Sequence, residues 1–555
     1  MRMFSKFTFL LLNTPILLLA QNLDNITNEK PLSATGSFSI GGTSYTSNGI
    51  APRAKPFSWI TSGNFNAKIY GIDLPFSFVL SEQDRSFQQP FNQFGIHPTY
   101  KWIKLHAGYS SLTFSPYTLG GATFLGGGVE LTPGLLRFGA VYGRFNKSVK
   151  ADTINNLSPG YERKGYAVKI GYGSQTNYFD LSLLKAADDI NSLGNPEAEK
   201  FGLKPSENTV AALAMKQTII KKIVWDADIA GSAYTLDSRA EKVELPQKYN
   251  ALKAFYEPRI SSLFALAYHS MLTFKLKKYN LKADYKRIDP GFKSMGAYYF
   301  QSDLQNFSLN QSLSLLQHKL NILYNASFNE DNLSGKKLYT TDRLTNNVAL
   351  SINPSQTYGT DLTYSHFLTY QKGNGTVLQD SFKLNQQQHN IGLAPHITFV
   401  DTNSVKNIIF SANYQFLDDS NIKTARSSEM KMLTFNTQFV NTLIKSHFNW
   451  NSGFVFTHLH NYYGNINSYG LSAGVGKQML ENKLSINSNI AYSLSQVNGW
   501  ISANTINLNI NSSYHPTIHH GLALVIMTTN NISSSKYSNP NFYELKINLN
   551  YVYSF

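Results

Sequence analysis

With 555 residues, 13% of them aromatic and 15% charged, including 33 Tyr and 36 Phe, the chain is too long and too aromatic to be disordered. No run of about 18 apolar residues follows the first 20, which excludes a bundle of membrane helices and leaves strands as the only route across a bilayer. The net charge is +15, or +13 without Arg2 and Lys6, and no block of five like charges occurs, so lipid headgroups or small anions suit the basic balance and nucleic acid does not.

The first 20 residues read as a signal peptide: Arg2 and Lys6 give a basic start, Phe7 to Leu19 is mostly apolar, and Ala20 precedes the cleavage point at Gln21. Residues 21–32 form a short N-terminal periplasmic segment, and 33–555 is expected to be one transmembrane β-barrel. The chain has no Cys, so it carries neither a lipid-anchor site nor a disulfide, and stability has to come from closure and packing.

From about Phe38 the chain alternates with the period of a strand. The N-terminal half shows Phe65, Ala67 and Ile69, then Ile72, Leu74, Phe76, Phe78 and Leu80, then Ile103, Leu105, Ala107 and Tyr109, then Phe138, Ala140 and Tyr142, and Tyr166, Val168, Ile170 and Tyr172. Pro75 and Pro395 fall inside strand-like runs and predict a bulge or a register break, because proline cannot donate to a ladder. Gly120, Gly121, Gly126, Gly127 and Gly128 precede Val129 and Glu130 rather than the Lys and Ser/Thr of a phosphate loop, which favours a loop or an inward-folded segment.

The C-terminal half is the more regular. Leu484, Ile486, Ile490 and Tyr492 alternate with Ser485, Asn487, Asn489 and Ser493, and Ile506, Leu508 and Ile510 with Asn507, Asn509 and Asn511. The last segment sets Tyr543, Leu545, Ile547, Leu549, Tyr551, Tyr553 and Phe555 against Glu544, Lys546, Asn548, Asn550 and Ser554. Asn and Ser weaken a strand buried on both faces, but they suit a wall with water on one side and lipid on the other. Short connections near 353–358, 401–406, 441–445, 480–483 and 515–520 alternate with longer ones near 329–342, 371–388, 418–428, 458–467, 495–502 and 531–541. Outer-membrane barrels sort their short periplasmic turns and long extracellular loops in this way. Residues 318–555 hold 12 strands at about 20 residues each, and the rest of the mature chain about 14 more. The expected fold is all-β: a transmembrane antiparallel up-and-down barrel of about 26 strands, within a range of 20–28, both termini on the periplasmic side.

The segment from Gly470 to Gly474 spells the G-x-S-x-G of a nucleophile elbow, but it lies inside a strand instead of a strand-to-helix turn, so Ser472 is a wall residue. His458 with His460, and His515 with His519 and His520, lack a carboxylate close in sequence and read as solvated rim residues. No nucleophile and base stand out, and no enzyme activity, cofactor or metal is expected. By alternation Arg137, Lys169, Lys275, Lys277, Lys282, Lys286 and Lys546 point inward, against the inward acids Asp180, Asp284 and Glu544. An open lumen with that surplus raises the local anion concentration; the competing reading pairs each cation with an acid or sends it to the rim.

Several stretches resemble the porin-like outer-membrane proteins of Bacteroidota: the Leu-Ala-Gln of residues 19–21, the Asn- and Tyr-rich strands, the run from Gly127 to Gly134 leading into Leu136 to Phe145, and the terminal Tyr553, Ser554 and Phe555. The resemblance implies insertion by the barrel-assembly machinery, with Leu549, Tyr551, Tyr553 and Phe555 as the terminal assembly signal. Outer-membrane lipid and lipopolysaccharide are the surroundings it implies. Two functions follow as expectations: a porin-like channel for small hydrophilic solutes with an anion preference, or a non-conducting accessory barrel that binds partner proteins in an outer-membrane assembly or secretion complex. A barrel this wide needs water or a plug inside, and segments 115–128, 146–163 and 187–206 are the candidates to fold inward.

Overall fold

The computed structural model describes residues 31–82, 92–151, 158–193, 198, 200–244, 255–297, 301–373, 383–534, 536 and 540–555. The signal-peptide expectation therefore lies outside the described residues. All the described strands belong to one antiparallel sheet, each paired with its neighbour in sequence. The sheet closes on itself: the first strand, Leu32–Asn48, pairs on one side with Phe57–Ile69 and on the other with the last strand, Phe542–Ser554. Closure removes both free edges, so every strand finds its backbone partners within the sheet.

Gln93–Ile96 and Thr99–Tyr100 both pair between Ile72–Ser81 and Ile103–Thr113, so they are two halves of one stave, and the wall has 26 staves. Proline accounts for the break. Pro75 has no N–H to offer, the neighbouring stave is interrupted at His97 and Pro98, and only His97 N–H reaches across, to the Pro75 carbonyl at 2.9 Å. Pro395 has a milder effect than expected. The ladder to Ser404–Asp419 skips Ala394 and Pro395 without any register shift.

The connections sort by barrel end. At the end where the chain terminates they run from two to five residues, as at 70–71, 221–222, 401–403 and 480–483. At the other end they include the long segments 147–162, 189–206, 236–261 and 289–303. Two connections expected to be long are tight hairpins instead: Tyr462 and Tyr463 join two strands, and so do Asn498 and Gly499. Asn498 (φ +50°) and Gly499 (φ +83°) supply the paired left-handed residues such a two-residue turn requires.

The Gly-rich stretch is wall, not loop. Gly120–Leu131 is a full strand, and a Cβ on Gly126 would sit 2.1 Å from the Tyr142 carbonyl oxygen, so glycine there lets two strands press together. Of the segment 115–128, only the part before Gly120 folds inward. The outer face carries a belt of exposed apolar side chains including Leu181, Leu213, Ile229, Phe264 and Leu471, whereas a water-soluble surface seldom leaves so large an apolar area uncovered.

Candidate functional site: the inner wall and its latch

The buried core lies inside the barrel and to one side of it. The connection 114–119 turns inward and meets the connection 289–303. Tyr117 packs edge-on against Phe292 with ring centroids 5.9 Å apart, Gly120 N–H donates to the Gly296 carbonyl at 2.8 Å, and Ser294 Oγ donates to the Thr118 carbonyl at 2.6 Å. Both connections are then fastened to the inner wall. The Thr118 and Ser182 hydroxyls are 3.0 Å apart, Met295 N–H donates to Asn208 Oδ1 at 2.9 Å, and Ser232 Oγ donates to the Lys293 carbonyl at 2.6 Å. Phe124, Leu184, Val210, Ala267 and Ile288 form the apolar bed beneath, with Leu119 and Phe292 fully buried against them. A latch of two interlocked loops therefore fills one side of the lumen.

These contacts identify the inward set, which includes Ser182, Asn208, Ser232, Ala267 and Ile288. Its neighbours at even spacing carry the charge. Arg137 grips Asp180 with both arms of its guanidinium, Nε to Oδ1 at 2.7 Å and Nη2 to Oδ2 at 2.9 Å, and lies over the Tyr178 ring at 4.3 Å. Asp180 is 3% exposed, so this charge is neutralised where it stands. Lys169 sits over the Phe114 ring at 5.0 Å, at the foot of the latch. Lys282 and Lys286 face the lumen opposite Thr273 and His269, and Lys275 opposite Asn280. Lys277 does not join them. Strand Ser262–Lys275 ends before it and Tyr279–Ile288 begins after it, so the alternation that aimed it inward has stopped, and it belongs to the turn. Lys546 occupies the last strand between Tyr45 and Met527. Its neighbour Glu544 accepts from Tyr45 Oη at 2.5 Å and from Arg53 at 2.9 Å.

A second cluster was not anticipated. Asp226, Asp228 and His269 bring one ligand-type atom each within 4.8 Å of one another on the inner wall. His269 is already engaged, with Nε2 at 2.5 Å from Asp284 Oδ2 and Nδ1 at 3.6 Å from Asp228 Oδ2, and Lys216 lies 3.5 Å from Asp226. His269 thus holds Asp228 and Asp284, and Lys216 holds Asp226. Cross-strand pairing of Asp228 with His269 assembles the group, and its only trace in the sequence is Asp226 and Asp228 at strand spacing. Of the histidines that the sequence sets in pairs and triplets, four are held singly: His458 by Asn467, His460 by Asn465, His519 by the Ser554 carbonyl and His520 by Tyr551 Oη, each at 2.7 Å.

The wall from Leu304 to Ser554 differs in kind. Followed round by register, its inward residues are mainly Asn, Ser, Thr and Gln: Asn306, Ser308 and Asn310 opposite Asn329, Ser327 and Asn325, and later Asn487, Asn489, Asn507, Asn509 and Asn511. Asn487, Asn507 and Asn511 stay exposed although they face the lumen. At the long-loop end, Tyr161, Leu193 and Ala198 pack together, so the connections 147–162 and 189–206 cover each other. Of the residues expected to form the terminal assembly signal, Leu549, Tyr551 and Tyr553 alternate outward, and Phe555 stacks on Phe65 at 5.8 Å and on Tyr553 at 6.0 Å.

No family model and no curated protein matches the sequence. Among solved structures the chain is similar to Pseudomonas aeruginosa OprD, at 9% identity over 68% of this chain and 95% of that one, with a TM-score of 0.32. It is similar to Acinetobacter baumannii OccAB4 at 13% identity over 94% and 98%, with a TM-score of 0.28. The FrpB iron transporter from Neisseria meningitidis matches at 8% identity over 96% and 83%, with a TM-score of 0.40. None is similar enough to carry a function to this chain.

Proposed function

We propose that this protein is an outer-membrane channel that passes small hydrophilic solutes along the polar half of its lumen, with both termini in the periplasm and the latch narrowing the opposite half. The observation that carries the reading is the contrast across the lumen. One side is packed by the loops at 114–119 and 289–303, while the facing wall of Asn, Ser and Thr stays open to water among the described residues. A wall of neutral hydrogen-bonding groups replaces part of a solute's hydration without holding it, which is what passage requires.

A modest anion preference belongs to the same proposal. Lys169, Lys275, Lys282, Lys286 and Lys546 form no ion pair among the described residues, whereas Arg137 is spent on Asp180. The outward belt is the lipid contact surface. The terminal Leu549, Tyr551, Tyr553 and Phe555 are the strand that the barrel-assembly machinery receives. Reconstitution of the purified protein in a planar bilayer tests the channel: discrete single-channel steps are expected, and their absence would overturn the reading in favour of a non-conducting accessory barrel.

A further inference from the structure

After strand Ile223–Thr235 the chain turns back along the outside of the barrel. The stretch 255–258 lies against the outer wall there. Thr209 Oγ1 donates to the Phe255 carbonyl at 3.3 Å, the Tyr256 and Thr235 hydroxyls are 3.0 Å apart, and the Tyr256 ring stands edge-on to Phe264 at 5.6 Å. Thr209, Thr235 and Phe264 belong to the outward set, as do Ala211, Gly231 and Leu266. Between this flap and the wall runs a groove of about 750 Å³, lined by Leu181, Leu183, Ala211, Gly231, Phe255 and Leu266 among others. Its lining is almost wholly apolar, and it faces away from the lumen.

Gly231 is the telling residue. A glycine inside a strand weakens it and is ordinarily explained by a positive φ or by a close neighbouring backbone. Gly231 has neither: its φ is not positive, and a Cβ built there would meet only Leu266 Cδ2, at an ordinary 3.7 Å. What the missing side chain preserves is the space in front of it, and Ala211 opposite keeps the floor low in the same way.

We infer that this groove holds an acyl chain of a membrane lipid from the leaflet on the long-loop side. The inference rests on the membrane-spanning reading above, because the groove is continuous with the lipid-facing belt that Leu181, Ile229, Phe264 and Leu266 form around it. The lining also selects against a peptide. Its one charged side chain, Asp289, already accepts from the Leu266 N–H at 3.2 Å and from Arg287 at 3.2 Å. An inserted backbone would leave its own N–H and C=O groups unpaired in an apolar slot, and an alkyl chain has none to satisfy.

The test uses the full-length protein folded in dimyristoylphosphatidylglycerol vesicles, re-extracted into detergent and weighed by native mass spectrometry. One retained lipid is expected on the wild-type protein, and loss of that adduct in Gly231→Phe, which fills the groove from its floor. Should Gly231→Phe fail to show the heat-modifiable gel mobility of a folded barrel, Ala233→Leu narrows the same floor and is read the same way. Both substitutions face away from the lumen, so single-channel conductance stays at the wild-type value, and failure of the channel reading is distinguished from failure of this one. A wild-type protein without a lipid adduct, a folded groove-filled variant that keeps it, or a retained peptide in its place overturns the proposal.

Discussion

Gly36 and Phe555 exchange both of their backbone hydrogen bonds, each N–H donating to the other's carbonyl at 3.0 Å. This pair is the last rung of the seam that closes the barrel, and the Phe555 ring covers it by stacking on Phe65. Phe555→Ala keeps the rung and loses the ring, whereas deletion of residue 555 loses both, at about 1 kcal/mol for each hydrogen bond on top of the lost packing. Folding yield into lipid vesicles, read by heat-modifiable gel mobility, is expected to fall from wild type to Phe555→Ala and further to the deletion. Equal yields for all three would show that closure does not depend on this rung.

The latch makes a prediction about width. Phe292 is fully buried, and replacing such a ring by Ala costs about 3–5 kcal/mol. That cost falls on the two loops and not on the wall, whose ladder is complete without them. Tyr117→Ala combined with Phe292→Ala should therefore raise single-channel conductance while leaving the far-ultraviolet strand signal unchanged. Unaltered conductance in a folded double variant would mean that the loops do not border the permeation path.

How much of this was readable beforehand differs between the two halves of the chain. The C-terminal wall was legible because Ile, Leu, Tyr and Phe alternate there with Asn and Ser, a pattern that holds only when one face is wet. The number of staves followed from that spacing. The latch is legible only in part: segment 115–128 stands among the candidates to fold inward, but its partner 289–303 does not, although strand Glu207–Ile220 carries a signal in Val210, Ala211, Ala212, Leu213 and Ala214, apolar on both faces as in a strand covered on both sides. Alternation says which face is apolar but not what covers it, so nothing in the sequence sets Phe292 apart from an ordinary loop residue. Lys277 is misplaced because a period of two cannot announce where a strand ends, and the two-residue turn at Asn498 and Gly499 is hidden because Asn, Ser and Gln occur in the wall as freely as in the connections.

On the proposed channel function, ion selectivity should separate the wall lysines from the turn. Lys275, Lys282 and Lys286 face the lumen, while Lys277 sits in the connection 276–278. Removing three unpaired cations from a confined aqueous path lowers the local anion concentration. Under a salt gradient, the triple Gln variant should move the reversal potential toward cations, whereas Lys277→Gln alone should leave it near the wild-type value. Equal shifts in both proteins, or none in the triple variant, would remove the wall lysines from the account of selectivity.

Acid should loosen the long-loop end before the wall. Asp303, at the end of the latch connection, is 7% exposed; burial opposes its ionisation, but the Lys337 ammonium and the backbone N–H groups of Leu333 and Asn332 outweigh that and hold its carboxyl below the usual aspartate range. Leu333 N–H donates to Asp303 Oδ1 at 2.7 Å, so the carboxylate ties the connections 289–303 and 332–338 together. A carboxyl whose value is lower in the folded state stabilises that state in full above its unfolded value of about 3.9, and the contribution disappears as the pH falls through the lower folded value. Hydrogen exchange across residues 332–338 should accordingly show protection that is constant near neutrality and lost under strong acid. In Asp303→Asn the protection should already be reduced at neutral pH and should change little on acidification. If the variant and the wild type lose protection in parallel as the pH falls, another group governs this end of the barrel.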